Sequence, residues 1–314
     1  MFTLRQYLLA LLDSRGLTRT LGEIDVCRDE QGRPCFSAGN SAAVFRIRLG
    51  GRIRSLRCYL RPMRHLKEIY GQRLLEKELY LHTSPETGVW VDTVLGDWIE
   101  GSTLHETVAQ AAALRDRECL QILVRLFDRL ALALVTDDRA HGDLKPENII
   151  VGDDGTLCPI DFDASYLAAF AGEISPELGT AAYQHPARTA ADFDERIDDY
   201  PAALISTALH ALAEDPTLWD RYGSSDGLLY TPQRIASDPA YRETLALFEK
   251  RGMAVPYRIA QLLTAPTLRL FGLAELLAEA VREKPAARSG TEAETPELFV
   301  ENGRWGYRTA ERVV

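Results

Sequence analysis

Cysteine is scarce and unpatterned in this sequence. The five residues Cys27, Cys35, Cys58, Cys119 and Cys158 make an odd number, with no Cys-x-x-Cys pair and no histidine at ligand spacing. That excludes a disulfide framework and argues against structural zinc. Basic residues are also in short supply: 36 lysines and arginines against 46 acidic residues leave a net charge of -10. A dedicated nucleic-acid or anionic-membrane surface is therefore not expected. A long apolar leader is missing too, because the run Tyr7 to Leu12 is too short for a membrane span. It leads straight into Asp13, without a small-residue cleavage site. The expectation is a cytoplasmic chain with reduced thiols and neither a nucleic-acid nor a membrane partner. What remains is ordinary globular material, 46% hydrophobic and 26% charged over 314 residues. At roughly 150 residues per domain, that length suggests about two domains or lobes.

The patterning changes along the chain. Residues 1–14 show helical spacing at Leu4, Leu8, Leu11 and Leu12, which predicts a docking helix. Between Ile24 and Tyr59, short β-rich runs alternate with glycine-containing turns, and Gly50-Gly51 reads as a hairpin turn. A helix is predicted over 64–75 and strands over 79–82 and 89–99. Beyond Ser102 helical periodicity dominates, with helices expected at 118–135, 200–212, 241–250, 257–263 and 268–281. Residues 284–297 lack apolar periodicity and read as a linker. The stretch 298–308 reads as two strands joined at Asn302-Gly303.

The segment that carries chemistry is His141-Gly-Asp-Leu-Lys-Pro-Glu-Asn148, followed by Asp161-Phe162-Asp163. Asp143 precedes Lys145 by two residues and Asn148 by five, so one tight loop can aim a carboxylate, an ammonium and an amide at one place. Phosphoryl transfer needs this set: a carboxylate for the substrate hydroxyl, a cation for phosphate charge and oxygen ligands for magnesium. The sequence here resembles the protein kinase superfamily, with its His-Arg-Asp-x-Lys-x-x-x-Asn loop and Asp-Phe-Gly turn. The resemblance implies an α+β, bilobal protein-kinase-like fold with a small antiparallel β-rich N-lobe and a larger α-helical C-lobe. Its divisions would be a docking helix at 1–14, an N-lobe at 15–100, a C-lobe at 101–283, a linker at 284–297 and a β-hairpin at 298–314. By the same resemblance Asp143 is the catalytic base, Lys145 steadies the transferred phosphate, and Asn148 and Asp161 hold magnesium.

The N-terminal part departs from the family pattern. Ser37 to Val44 keeps only Gly39 of the three glycines in the nucleotide loop, and Val44 would cover the adenine ring. By its residues alone the stretch fits an ordinary hairpin turn equally well. Arg57 stands where the family carries a phosphate-binding lysine, a swap that keeps charge but changes geometry. Glu68 is the candidate ion-pair partner of Arg57, with a solvated helix glutamate as the alternative. Asp97 and Ile99 fall where backbone groups would bind the adenine edge.

Downstream, Gly179-Thr180 to Pro186 resembles the end of a kinase activation segment, and Thr180 is expected to bond toward Asp143 and Lys145. Ala187 replaces the usual glutamate after that proline. Asp199 is expected to cap the catalytic loop from below, or to be a helix N-cap. Gly142 in place of arginine removes the charge partner of a phosphorylated segment, so activity should not depend on phosphorylation there. Asp163 in place of glycine should restrict the magnesium loop. Hydroxyls at Ser165, Tyr166, Ser175, Thr180 and Tyr183 are modification candidates by location. The tail resembles the opening of a tryptophan-glycine repeat through Asn302 to Tyr307.

The reading is thus an ATP- and magnesium-dependent Ser/Thr protein kinase acting on a protein hydroxyl. Its rivals are a pseudokinase scaffold, favoured by Arg57, the depleted glycine loop and Ala187, and a small-molecule phosphotransferase of the aminoglycoside or choline kinase type. Lys145 and the 179–186 segment oppose the last.

Overall fold

The computed structural model describes residues 1–152, 154–282, 297–301 and 304–308. The chain divides at Ile99/Glu100 into two compact units of mixed α/β character, each with its own core.

Unit 1 is built on a six-stranded antiparallel sheet. Its strands are β1 (Asp25–Val26), β2 (Phe36–Ala38), β3 (Ala42–Leu49), β4 (Arg52–Tyr59), β5 (Leu74–His82) and β6 (Gly88–Asp97). Their order is β1-β3-β4-β6-β5, with β2 also pairing to β3. Gly50 and Gly51 join β3 to β4 at φ 54° and 78°, the left-handed pair that a two-residue hairpin turn requires. Alternation sends Ala43, Phe45 and Ile47 of β3, with Leu56 and Cys58 of β4, to a face covered by α1 (Leu4–Leu12). Thr3 and Gln6 close a capping box at the start of α1, and Tyr7 Oη donates to the Tyr59 carbonyl at 2.6 Å. Glu78 is buried, and its carboxylate accepts the N–H groups of Arg19, Thr20 and Leu21.

The helix expected over 64–75 is much shorter. Helix α2 covers only Leu66–Tyr70, a 3-10 turn follows at Gly71–Arg73, and β5 begins at Leu74. Gly71, at φ 52°, ends the helix, and Leu74 and Leu75 pair with Val94 and Thr93 of β6. Tertiary strand pairing overrides the helical propensity of this stretch.

Unit 2 is mainly helical. Helix α3 (Leu104–Ala113) starts from a Thr103–Glu106 capping box, and α4 (Arg117–Thr136) from Asp116, whose side chain accepts the Cys119 N–H at 2.9 Å. Helix α5 (Asp199–Glu214) is buried on nearly every side, as a central core helix should be. Between α4 and α5 a buried Asp128 accepts Ser206 Oγ at 2.6 Å and pairs with His210 Nε2 at 2.8 Å. Helices α6 (Leu218–Tyr222), α7 (Pro239–Arg251), α8 (Ala254–Leu262) and α9 (Leu273–Arg282) complete the layer. The expected helix over 268–281 therefore begins late, after Gly272 at φ 84°.

A second sheet runs β10-β11-β9-β8-β7, from β7 (Gly101–Thr103), β8 (Ile149–Gly152), β9 (Leu157–Pro159), β10 (Glu297–Glu301) and β11 (Arg304–Arg308). Strand β11 pairs with β9 at Tyr307 and Leu157. The Asn302-Gly303 turn and most of the 284–297 linker lie outside the described residues. Among the described residues no helix is long and apolar enough to cross a membrane.

Candidate active site

The chemistry-bearing loop is set up by alternation. Leu144 is fully buried in the unit 2 core, so Asp143 and Lys145, one residue to either side, share the opposite face. Lys145 is extended at φ -156° and ψ 157°; Pro146 then opens a 3-10 turn that carries Asn148 back toward Asp143. Asn148 Nδ2 donates to the Asp143 carbonyl at 2.9 Å and to its Oδ2 at 3.2 Å. Lys145 Nζ stands 3.3 Å from Asp143 Oδ2 and donates to Thr180 Oγ1 at 2.8 Å. The Thr180 N–H donates to Asp143 Oδ1 at 2.6 Å. Asp143, Lys145, Asn148 and Thr180 thus form one connected network.

Its electrostatics follow. Burial pushes the Asp143 carboxyl up, but the Lys145 ammonium and the Thr180 hydrogen bonds outweigh it and hold the group below its ordinary range. The carboxylate is therefore ionised at neutral pH.

Behind the loop stands a second carboxylate. Asp198 Oδ2 accepts the His141 N–H at 2.5 Å and Oδ1 accepts the Gly142 N–H at 3.0 Å. This corrects the expectation for Asp199, which instead accepts the Leu270 N–H at 3.3 Å. The helix begins at Asp199, so Asp198 occupies the N-cap position, yet its side chain bonds to the loop and not to its own helix. Burial raises Asp198, while His141, the two N–H groups and Arg188 oppose that rise. Burial likewise raises Asp199, to about 7.

His141 Nδ1 accepts the Asp143 N–H at 3.3 Å, which fixes the proton on Nε2, and that atom bonds the Ile160 carbonyl at 2.8 Å. The Ile160 N–H in turn donates to the Asn148 carbonyl at 2.8 Å, one residue beyond the paired strands β8 and β9, and Asp161 follows directly in the chain. Asp161 adopts the left-handed conformation at φ 66° and ψ 63°. The Phe162 ring packs on His141 with centroids 4.9 Å apart, and Asp163 is buried.

Two glycines are demanded by close approach. Gly142 has φ 81°, and a Cβ there would lie 2.0 Å from the Ala164 carbonyl oxygen. Gly179 has φ 71°, and a Cβ would meet the Gly142 carbonyl at 2.8 Å and Asp143 Oδ1 at 3.0 Å. Asn148 and Asp161 carry the hard oxygen donors that magnesium takes: Nδ2 of Asn148 is engaged, leaving its Oδ1 as the donor, and Asp161 brings a carboxylate. Among the described residues no group of three or more His, Cys, Asp or Glu could hold a metal alone.

The unit 1 candidates are placed differently. Gly39 lies in the turn between β2 and β3, with its N–H on the Ala42 carbonyl at 2.9 Å, and a Cβ there would meet nothing closer than 4.0 Å. Glycine is not sterically required at that position. Val44 faces Arg57 across β3 and β4. The Arg57 guanidinium lies 5.8 Å from the Tyr59 ring centroid. Glu68 is exposed on α2 and makes no ion pair with Arg57. The Asp97 carbonyl accepts Ser55 Oγ at 3.0 Å, and its carboxylate pairs with Arg54 at 3.3 Å; Ile99 is half-buried at the end of the unit.

Of the five candidate modification hydroxyls, those of Ser165, Tyr166, Ser175 and Tyr183 belong to buried residues, and that of Thr180 is bonded to Lys145. Sequence reasoning missed Asp198, Arg188 and the hydrogen-bonding role of His141. For Asp198 a usable signal existed, since an N-cap carboxylate precedes the first helical residue.

Comparison with known proteins gives a partial likeness. No family model matches the chain. Over 113 residues, 34% of this chain, it is 34% identical to the serine/threonine-protein kinase PknL of Mycobacterium tuberculosis and equally to that of Mycobacterium bovis. The chain spans 27% of the length of those relatives. A third of the chain is therefore similar to part of a serine/threonine kinase, a kinase-like relationship of limited extent.

Proposed function

We propose that the chain is an ATP- and magnesium-dependent Ser/Thr protein kinase whose activity does not require phosphorylation of its activation segment. The observation that carries this reading is the closed network of Asp143, Lys145, Asn148 and Thr180. A magnesium–nucleotide, when bound, supplies the phosphoryl group and neutralises its charge. The ionised Asp143 carboxylate orients the acceptor hydroxyl and takes its proton. Lys145, which Thr180 Oγ1 holds in register, offers its ammonium to the negative charge that spreads over the phosphoryl oxygens. Asn148 Oδ1 and the Asp161 carboxylate would hold the metal. The same reading gives Gly39, Val44, Arg57, Asp97 and Ile99 to nucleotide binding, and a protein hydroxyl is the expected acceptor. The buried or bonded segment hydroxyls support independence from phosphorylation.

One observation favours a pseudokinase: Glu68 is exposed on α2 and is not the ion-pair partner of Arg57 that the resemblance implies. Incubation with γ-labelled ATP and magnesium, with a generic protein or with small alcohols, separates these readings when an Asp143→Ala control runs beside it. Label in protein that disappears in the control supports the kinase. Nucleotide binding without label supports the pseudokinase, and label confined to alcohols supports a small-molecule phosphotransferase.

A further inference from the structure

We infer that Arg188 is a positioning residue that locks the Gly142–Asp143 peptide, replacing from the far end of the activation segment the arginine missing before Asp143. The inference rests on the phosphotransfer reading and names how that site is held in its working geometry.

The Gly142 residue is gripped from several directions. Its N–H donates to Asp198 Oδ1 at 3.0 Å, and its carbonyl accepts from Arg188 Nη1 at 3.2 Å. The space where a side chain would start is filled by the Ala164 carbonyl, 2.0 Å from an ideal Cβ. An arginine cannot occupy position 142 in this conformation, so a cation can reach the loop only from elsewhere. Arg188 supplies it. Its guanidinium is largely buried, donates also to Gln184 Oε1, and keeps Nε and Nη2 buried and unpartnered among the described residues. Burying a guanidinium with spare donors is costly unless charge of the opposite sign surrounds it. The charges of four carboxylates, Asp143 on the loop, Asp198 at the N-cap of α5, and Asp192 and Asp194, favour its charged form.

The arrangement inverts the usual logic of a kinase activation segment. There, a phosphate on the segment is drawn to an arginine on the loop. Here the arginine is on the segment side and its acceptor, the Gly142 carbonyl, is on the loop, while Asp198 holds the same residue through the Gly142 N–H. The tie is made by an unmodified side chain.

The test compares Arg188→Ala, Arg188→Gln and Arg188→Lys with the wild-type chain, using ATP, magnesium and a protein acceptor. In Arg188→Ala and Arg188→Gln, kcat should fall about ten- to hundredfold with little change in the KM for ATP. Arg188→Lys, which keeps a cationic donor, should recover part of the lost kcat. A wild-type kcat in Arg188→Ala, or equal losses in the Ala and Lys variants, would overturn the inference. Amide hydrogen exchange provides a readout independent of turnover: the Gly142 and Asp143 amides should exchange faster in the Ala and Gln variants while amides of α4 do not. Unchanged exchange at 142–143 would defeat the positioning role, active chain or not. Faster exchange in a chain whose wild type transfers no phosphate would instead defeat the phosphotransfer reading alone.

Discussion

Asp143 stays ionised because its neighbours outweigh its burial. Lys145 and Thr180 hold its carboxyl below the ordinary carboxylate range, so removing the Lys145 charge in Lys145→Met should raise it and shift the acid limb of kcat/KM to higher pH. A pH–rate profile of the two proteins checks the direction. Thr180 contributes twice, by backbone and by hydroxyl. Thr180→Ala keeps the N–H but frees Lys145, and should lower kcat by about tenfold, whereas Thr180→Ser should restore it. Gly142→Ala places a Cβ against the Ala164 carbonyl at a left-handed φ. The cost should be at least ~1–3 kcal/mol, read in a urea unfolding curve. These residues differ in how far the sequence displays them. Asp143, Lys145 and Asn148 were legible because their roles depend on short fixed offsets within one loop. Arg188 and Asp198 were not, since each acts on Gly142 across more than forty residues of chain.

At the scale of elements, the helices were easy to read where a buried face repeats, as along α4. The short α2 was not, because sheet pairing of Leu74 and Leu75 claims residues whose local pattern is helical. The pairing of β11 with β9 was equally invisible, joining segments far apart in sequence. Helices α4 and α5 share the buried Asp128–Ser206–His210 cluster. Asp128→Ala should destabilise by roughly 3 kcal/mol, because it strands the buried Ser206 hydroxyl and the half-buried His210 ring, measurable by thermal or urea unfolding. Asp199 opens α5 with its carboxyl pushed by burial to about 7, above its unfolded value. The folded state therefore binds this proton more tightly, and stability falls as pH rises toward and through 7. Asp199→Asn removes that dependence, so it should stabilise the chain relative to wild type at pH 8 more than at pH 5.

For the whole molecule, chemistry and fold are unevenly shared. Unit 2 holds the connected polar network, whereas the roles expected of Asp97 and Ile99 in unit 1 depend on backbone atoms and not on side-chain identity. That difference explains why the unit 2 site could be read from its residues while Gly39, Val44, Asp97 and Ile99 rest on resemblance. Neither the -10 net charge nor the kinase-like stretch selects an acceptor, which is defined by the site and not by the fold. Because the segment hydroxyls are buried or bonded, exhaustive phosphatase treatment should leave activity unchanged. The most direct test of the central claim is single-turnover phosphoryl transfer in wild type and Asp143→Asn, alongside nucleotide affinity by calorimetry. The expected result is a loss of about 10²-fold or more in transfer rate with nucleotide affinity retained; equal transfer rates in the two proteins would contradict it.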